Sequence, residues 1–206
     1  MDEPHRLIRH RIARFERFLP DAAVAALYAE VLACEPSFVP SFTEDANPDV
    51  RRSFVLNPPD ALVAPVVERV RSVMPEVLAS IRVPPIEVGR VEAQVTANTD
   101  GSFFGIHADA GYAEVKTRYL TYVFYFNGTP KGFADGELLV YDDLLRNGKL
   151  ARADSYQTVE PLHNSIVFFW ARAMHEVRPV RVPSRAWRDS RFTVNGWVNA
   201  KPATGG

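Results

Sequence analysis

From about residue 86 onward the chain is written in short β-prone stretches, and this pattern restricts the fold most. Residues 88–95 alternate apolar and polar side chains, and 118–127 (RYLTYVFYFN) are aromatic and β-branched. Residues 136–141 and 164–170 are short apolar runs, and 191–198 (RFTVNGWV) close the series. Turn residues separate them. Short strands without helices between them argue against a parallel α/β sheet and for a β-sandwich or barrel. The 16 prolines and 11 glycines supply the turns such a core requires.

The first part reads differently. Residues 11–19 are expected to form a short strand. Pro20 and Asp21 open a helix whose apolar face is Ala22, Val24, Leu27, Val31 and Leu32. Residues 35–49 (EPSFVPSFTEDANPD) read as a loop and 52–56 as a strand. Pro58, Pro59 and Asp60 begin a second helix. Its Leu62, Val66, Val67, Val70 and Val73 recur at helical spacing, and the run continues past Pro75 to about Ile81. We expect one domain over residues 1–206. It comprises a helical scaffold and leading strands at 1–85, a β core with the functional site at 86–199, and a frayed tail at 200–206.

Composition excludes several functions. The formal net charge is -1, with cations scattered among acids, so neither nucleic acid nor a membrane surface is expected as a partner. No stretch approaches the roughly 20 apolar residues of a membrane span, and residues 1–18 lack the apolar run of a signal peptide. The one cysteine, Cys34, cannot form an internal disulfide and reads as a core hydrophobe. A reducing, cytoplasmic location is the default expectation.

The chemistry-bearing residues lie in the β half. Within GIHADAGY, His107 and Asp109 are two apart, so in a strand both would point to one face, close enough to share an ion. A polar turn or helix cap is the plainer reading of that triplet alone. His175 follows the apolar run HNSIVFFW and, taken singly, is equally readable as a half-exposed histidine. Together, two imidazoles and a carboxylate make the facial set of a non-haem Fe(II) oxygenase, with coordination positions left open. Arg191 opens RFTVNGW. Alternation puts Arg191, Thr193, Asn195 and Trp197 on one face and Phe192, Val194 and Val198 on the other. A buried arginine needs an anion, either a structural acid or a ligand carboxylate gripped by two parallel hydrogen bonds. His5, His10 and His163 read as solvated or loop residues. Residues 39–49, 110–117 and 142–156 are polar and expected as loops, either lining the mouth of a site or serving as plain connections.

The segments HAD (107–109), RYLTYVFYFN (118–127), DGELLVY (135–141), VEPLHNSIVFFW (159–170), HEVRPV (175–180) and RFTVNGW (191–197) together resemble the prolyl-4-hydroxylase-like branch of the 2-oxoglutarate/Fe(II)-dependent dioxygenases. They cover about half the chain, in the family's order. The resemblance implies a mainly β fold with flanking helices and a double-stranded β-helix (jelly-roll, cupin-like) core. His107, Asp109 and His175 match the iron ligands, and Arg191 matches the arginine for the distal carboxylate of 2-oxoglutarate. Tyr125 falls where this branch places a tyrosine near that carboxylate, on a face shared with Tyr119, Thr121 and Val123; a core tyrosine is the alternative. The family's arginine usually comes sooner after the second histidine, where Arg185 stands. The strand alternation of 191–197 favours Arg191 and leaves 182–189 as an inserted turn. The implied activity is O2-dependent hydroxylation of an unactivated C–H with 2-oxoglutarate as co-substrate, acting on a peptide-bound residue such as proline, a free amino acid or a small natural product. Two other classes compete: a non-catalytic metal-binding β-barrel for sensing or storage, and a cupin-type zinc or manganese enzyme.

Overall fold

The structure, a computed structural model, describes residues 5–41, 49–110 and 117–201. In chain order the first part forms β1 (Arg6–Ile8), β2 (Ala13–Glu16), α1 (Asp21–Ala33), β3 (Val39–Pro40), β4 (Arg51–Arg52), β5 (Phe54–Leu56) and α2 (Asp60–Ile81). There follow β6 (Val88–Val91), β7 (Gln94–Asn98), β8 (Phe103–His107), β9 (Arg118–Phe126), β10 (Ala134–Asp135) and β11 (Leu138–Arg146). The chain ends with β12 (Lys149–Val159), β13 (Ser165–Trp170), β14 (His175–Val177), β15 (Val180–Arg181) and β16 (Arg191–Ala200).

The larger sheet runs β2-β13-β9-β16-β7-β5-β3, with β6 joining β16 beside β7. The smaller runs β1-β11-β14-β8-β4, with β12 on β11. From β7 onward the chain passes back and forth between the sheets, winding a double-stranded β-helix, as the motif pattern implied. Alternation within the larger sheet sorts its side chains. Leu120, Tyr122, Phe124, Ile166, Phe168 and Val194 turn outward and meet Val24, Leu27 and Val31 of α1 and Val63, Val66, Val70 and Val77 of α2. Each fully buried aliphatic side chain contributes about 1.5–3 kcal/mol, so this layer fixes the larger sheet on the helices. The inward faces, with Tyr125, Val167 and Phe169, meet Leu138, Val140 and Val159 in a smaller core between the sheets. Among the described residues no helix is long and apolar enough to cross a membrane.

Several expectations are corrected. Residues 142–156 are not a loop: β11 and β12 form a hairpin whose Arg146 and Lys149 pair across Asn147-Gly148. Both turn residues have positive φ, 51° and 70°, as a two-residue hairpin turn demands. Residues 88–95 are two strands, β6 and β7, broken at Glu92 and Ala93. Ala22 is exposed rather than on the buried face of α1, and Cys34 is half-buried at the rim of the core. His10 is buried, because β1 pairs with β11 and brings His10 Nε2 to 2.9 Å from Asp143 Oδ2. Tyr119 leaves the inward face. The pairing of β9 with β16 passes from Leu120↔Val198 to Arg118↔Asn199, so Tyr119 is the extra residue of a bulge and packs on the helix side. Of the expected loops, residues 42–48 and 111–116 lie outside the described residues, as do 202–206 of the expected tail.

Candidate metal centre

His107 ends β8 and His175 begins β14, and the antiparallel register sets them directly opposite each other. Their ring centroids are 4.1 Å apart. Asp109 comes into range differently from the strand alternation expected of it, since it lies beyond the end of β8. The backbone N–H groups of Asp109 and Ala110 both donate to Ala171 O at 3.0 Å, bending the chain back. The carboxylate then sits with Oδ1 3.7 Å from His107 Nε2 and Oδ2 3.4 Å from His175 Nε2. One donor atom from each residue falls within a 4.8 Å cluster.

The ring orientations are fixed by the backbone. His107 Nδ1 donates to Gly105 O at 2.8 Å, and His175 Nδ1 donates to Ala173 O at 2.9 Å. A carbonyl only accepts, so in the neutral rings Nδ1 holds the proton and each Nε2 presents its lone pair to the site. Burial, reinforced by neighbouring His175, pushes the His107 pKa down to about 3, so this ring is neutral and ready to ligate near pH 7. Burial works to raise Asp109, yet the charge and hydrogen bond of His175, with His107 and Thr121, hold it well below the carboxylate range. Burial works to lower His175, and the Asp109 charge reverses it, leaving the pKa raised. A cation displacing that shared proton meets two imidazole nitrogens and an ionised carboxylate, the donor set of an open-faced Fe(II) site.

These residues form part of the wall of a cavity of about 720 Å³ between the sheets. Arg191 lines it from the first position of β16, only 2% exposed. Its Nε and Nη2 have no hydrogen-bond partner among the described residues, and neither has the buried hydroxyl of Tyr125. The guanidinium lies 5.0 Å from the centroid of the Tyr125 ring. Uncompensated buried donors of this kind are rare and costly, and they fit a ligand carboxylate. Thr193, Asn195 and Trp197 line the same cavity, as alternation along β16 requires. Arg185 stands apart, largely exposed, at left-handed φ 53° and 3.6 Å from Asp100.

Three features were not foreseen. Thr121 was expected to face inward, but not to donate its hydroxyl hydrogen to Asp109 Oδ2 at 2.6 Å. Phe104 stacks on the His107 ring at 3.5 Å between centroids. Arg51 and Arg118 also line the cavity. The inward alternation of 119–125 pointed to Thr121; no local signal in the Arg51-Arg52 pair tells which arginine faces inward.

Comparison with known proteins bears on the same residues. The model of the 2OG-Fe(II) oxygenase superfamily matches residues 93–199, the segment from β7 to β16. An uncharacterized PKHD-type hydroxylase of Synechocystis sp. is 38% identical over 188 residues, covering 90% of this chain and 62% of that protein. The chain thus spans under two thirds of this relative's length. A Pseudomonas putida prolyl-4-hydroxylase superposes with TM-score 0.66 at 19% identity, covering 94% of both chains. A Trichoplax adhaerens prolyl hydroxylase, solved with a hypoxia inducible factor peptide fragment, gives TM-score 0.67 at 15% identity, covering 93% of this chain and 84% of that one. At such identities the structural matches speak for the fold. The family match spans the whole stretch from Gln94 to Asn199 that builds most of the cavity, and this chain belongs to the 2OG-Fe(II) oxygenase superfamily.

Proposed function

We propose that this protein is a 2-oxoglutarate- and Fe(II)-dependent dioxygenase that hydroxylates an unactivated C–H of a peptide- or protein-bound residue such as proline. In this reading His107, Asp109 and His175 hold the metal, while Arg191 and Tyr125 hold the distal carboxylate of 2-oxoglutarate. One observation supports it above the rest: the three donors and the unpartnered guanidinium of Arg191 line one cavity. A metal-storing or metal-sensing barrel has no use for that guanidinium.

When bound, Fe(II) with 2-oxoglutarate and O2 supplies the oxidant for the C–H bond, and 2-oxoglutarate is converted to succinate and CO2. The protein's own part is positioning. The Nδ1–H bonds to the carbonyls of Gly105 and Ala173 hold both imidazoles with Nε2 inward. Thr121 fixes one carboxylate oxygen of Asp109. Arg191 anchors the co-substrate by a planar, two-pronged contact that sets its orientation. A cavity of about 720 Å³ exceeds what a five-carbon dicarboxylate fills and leaves room for part of a second substrate. The peptide-bound substrate is supported by two relatives of the same fold that are prolyl hydroxylases, one of them solved with a peptide.

The test is anaerobic titration with Fe(II) and 2-oxoglutarate. A visible charge-transfer band should appear with both together and with neither alone. On admitting air, succinate should form, faster with a proline-containing peptide substrate. Metal uptake without the band and without succinate would leave the fold and remove the function.

A further inference from the structure

Arg51 is the second cavity cation with no ion pair among the described residues. Its Nε donates to Ser53 Oγ at 3.0 Å, and its guanidinium lies 4.6 Å from the centroid of the Phe104 ring. Phe104 in turn stacks on His107, so one phenyl ring touches both the Arg51 guanidinium and an imidazole of the metal centre. No acid pairs with Arg51 in an ion pair among the described residues. Among the described residues the one carboxylate lining the cavity there is Asp109, committed to the histidines and Thr121. Arg118, the other cation on this wall, differs. It pairs with Glu92 at 3.0 Å and lies 3.5 Å over Trp197.

The two positive charges of Fe(II) and the one of Arg191 are matched by Asp109 and the two carboxylates of 2-oxoglutarate. Arg118 is matched by Glu92. Among the described residues Arg51 alone is left without a counter-charge in a filled site, partly removed from water, where an unmatched charge is costly. A planar guanidinium binds a carboxylate by two parallel hydrogen bonds.

We infer that Arg51 is a specificity-determining residue that binds a carboxylate of the substrate to be hydroxylated, beside the metal centre. This rests on the proposed function above and adds the substrate's chemical class. The carboxylate has two sources, the terminus of an amino acid or an acidic side chain within a peptide, and the test separates them.

Protein loaded anaerobically with Fe(II) and 2-oxoglutarate is titrated with two matched pairs of probes, with binding read by calorimetry. The first pair is N-acetyl-L-proline against its amide. The second is the capped tripeptide Asp-Pro-Gly against Asn-Pro-Gly. We expect the carboxylate member of at least one pair to bind about tenfold more tightly, the size of one charge-assisted contact. The pair that discriminates identifies the source. The preference should vanish in Arg51→Met, persist in weakened form in Arg51→Lys and survive in full in the neighbouring Arg52→Gln, with 2-oxoglutarate affinity unchanged in all three. No preference in the unmodified protein, or a preference surviving Arg51→Met, overturns the inference. A selective loss of 2-oxoglutarate binding in Arg51→Met also overturns it, by assigning Arg51 to the co-substrate. If the unmodified protein binds no 2-oxoglutarate at all, the proposed function itself has failed.

Discussion

Thr121 and Asp109 are joined by a 2.6 Å hydrogen bond that crosses from the larger sheet, where Thr121 lies in β9, to the bend that follows β8 of the smaller one. Asp109 lies beyond the end of β8, so its carboxylate orientation depends on this contact, on the two histidines beside it and on its own N–H bond to Ala171. A neutral donor on a buried charged acceptor is worth about 1.5–3 kcal/mol. Thr121→Val keeps the shape and removes the donor. We expect Fe(II) affinity to fall about 10- to 100-fold, the usual cost of losing a partner behind a metal ligand. Thr121→Ser should restore most of it. Equal affinity in all three proteins, measured by competition with a chelator, would show that Asp109 is held without Thr121.

The three proposed ligands should behave as a unit. His107→Ala, Asp109→Ala and His175→Ala are each expected to abolish the charge-transfer band and succinate formation while the fold survives, checked by circular dichroism. His163→Ala is the control. Its Nδ1 only accepts a backbone hydrogen from Asn127 at 3.2 Å, in the turn before β13. It should retain the band. A His175→Ala protein with undiminished iron affinity would overturn the assignment.

What was legible in the sequence was what alternation along one strand decides. β16 needs no partner to show that Arg191, Thr193, Asn195 and Trp197 share a face, and they line the cavity. What depends on a second strand was hidden. The bulge that turns Tyr119 outward exists only in the register between β9 and β16. The burial of His10 follows from the pairing of β1 with a strand far along the chain. The hairpin at 142–156 was missed for another reason. Its Asn-Gly turn is a strong signal, but polar β12 lies at the sheet edge, mostly exposed, and offers no apolar alternation. Asp109 was selected by its spacing from His107, although a bend rather than a strand delivers it.

Gly196 marks where packing is least tolerant. β6 and β7 both pair with β16, and the break between them crosses over this glycine. A Cβ added here would meet Glu92 O at 1.9 Å and Tyr122 Oη at 2.7 Å. The backbone oxygen cannot move without breaking the Trp197 N–H bond it accepts at 3.3 Å. Gly196→Ala should therefore cost about 3 kcal/mol or more, the upper end for overpacking, and lower Tm by about 6–12 °C. Gly148→Ala makes the comparison, since nothing lies within 4 Å of its added Cβ and only the strain of φ +70° remains. A thermal melt in which Gly196→Ala is no worse than Gly148→Ala would refute the close approach.

The two candidate arginines make opposite predictions. Arg191 is almost fully buried with Nε and Nη2 unpartnered, whereas Arg185 is exposed beside Asp100. If Arg191 grips the distal carboxylate, Arg191→Ala removes a two-pronged charged contact and leaves the ligand's charge unmatched in the cavity. That loss is about 2–5 kcal/mol, so the 2-oxoglutarate concentration for half-saturation should rise roughly thirtyfold or more. Arg191→Lys restores the charge but not the planar fork and should recover only part of it. Arg185→Ala gives up an exposed ion pair worth at most about 1 kcal/mol and should leave the 2-oxoglutarate requirement unchanged. Tyr125→Phe separates hydroxyl from ring. Burial raises the Tyr125 pKa, so the group stays protonated and can donate to a carboxylate beside Arg191. A severalfold higher requirement for 2-oxoglutarate in Tyr125→Phe, with unchanged Fe(II) affinity, would place both groups on the same carboxylate. A large effect from Arg185→Ala with a small one from Arg191→Ala would move the co-substrate to the other arginine and make β16 a purely structural strand.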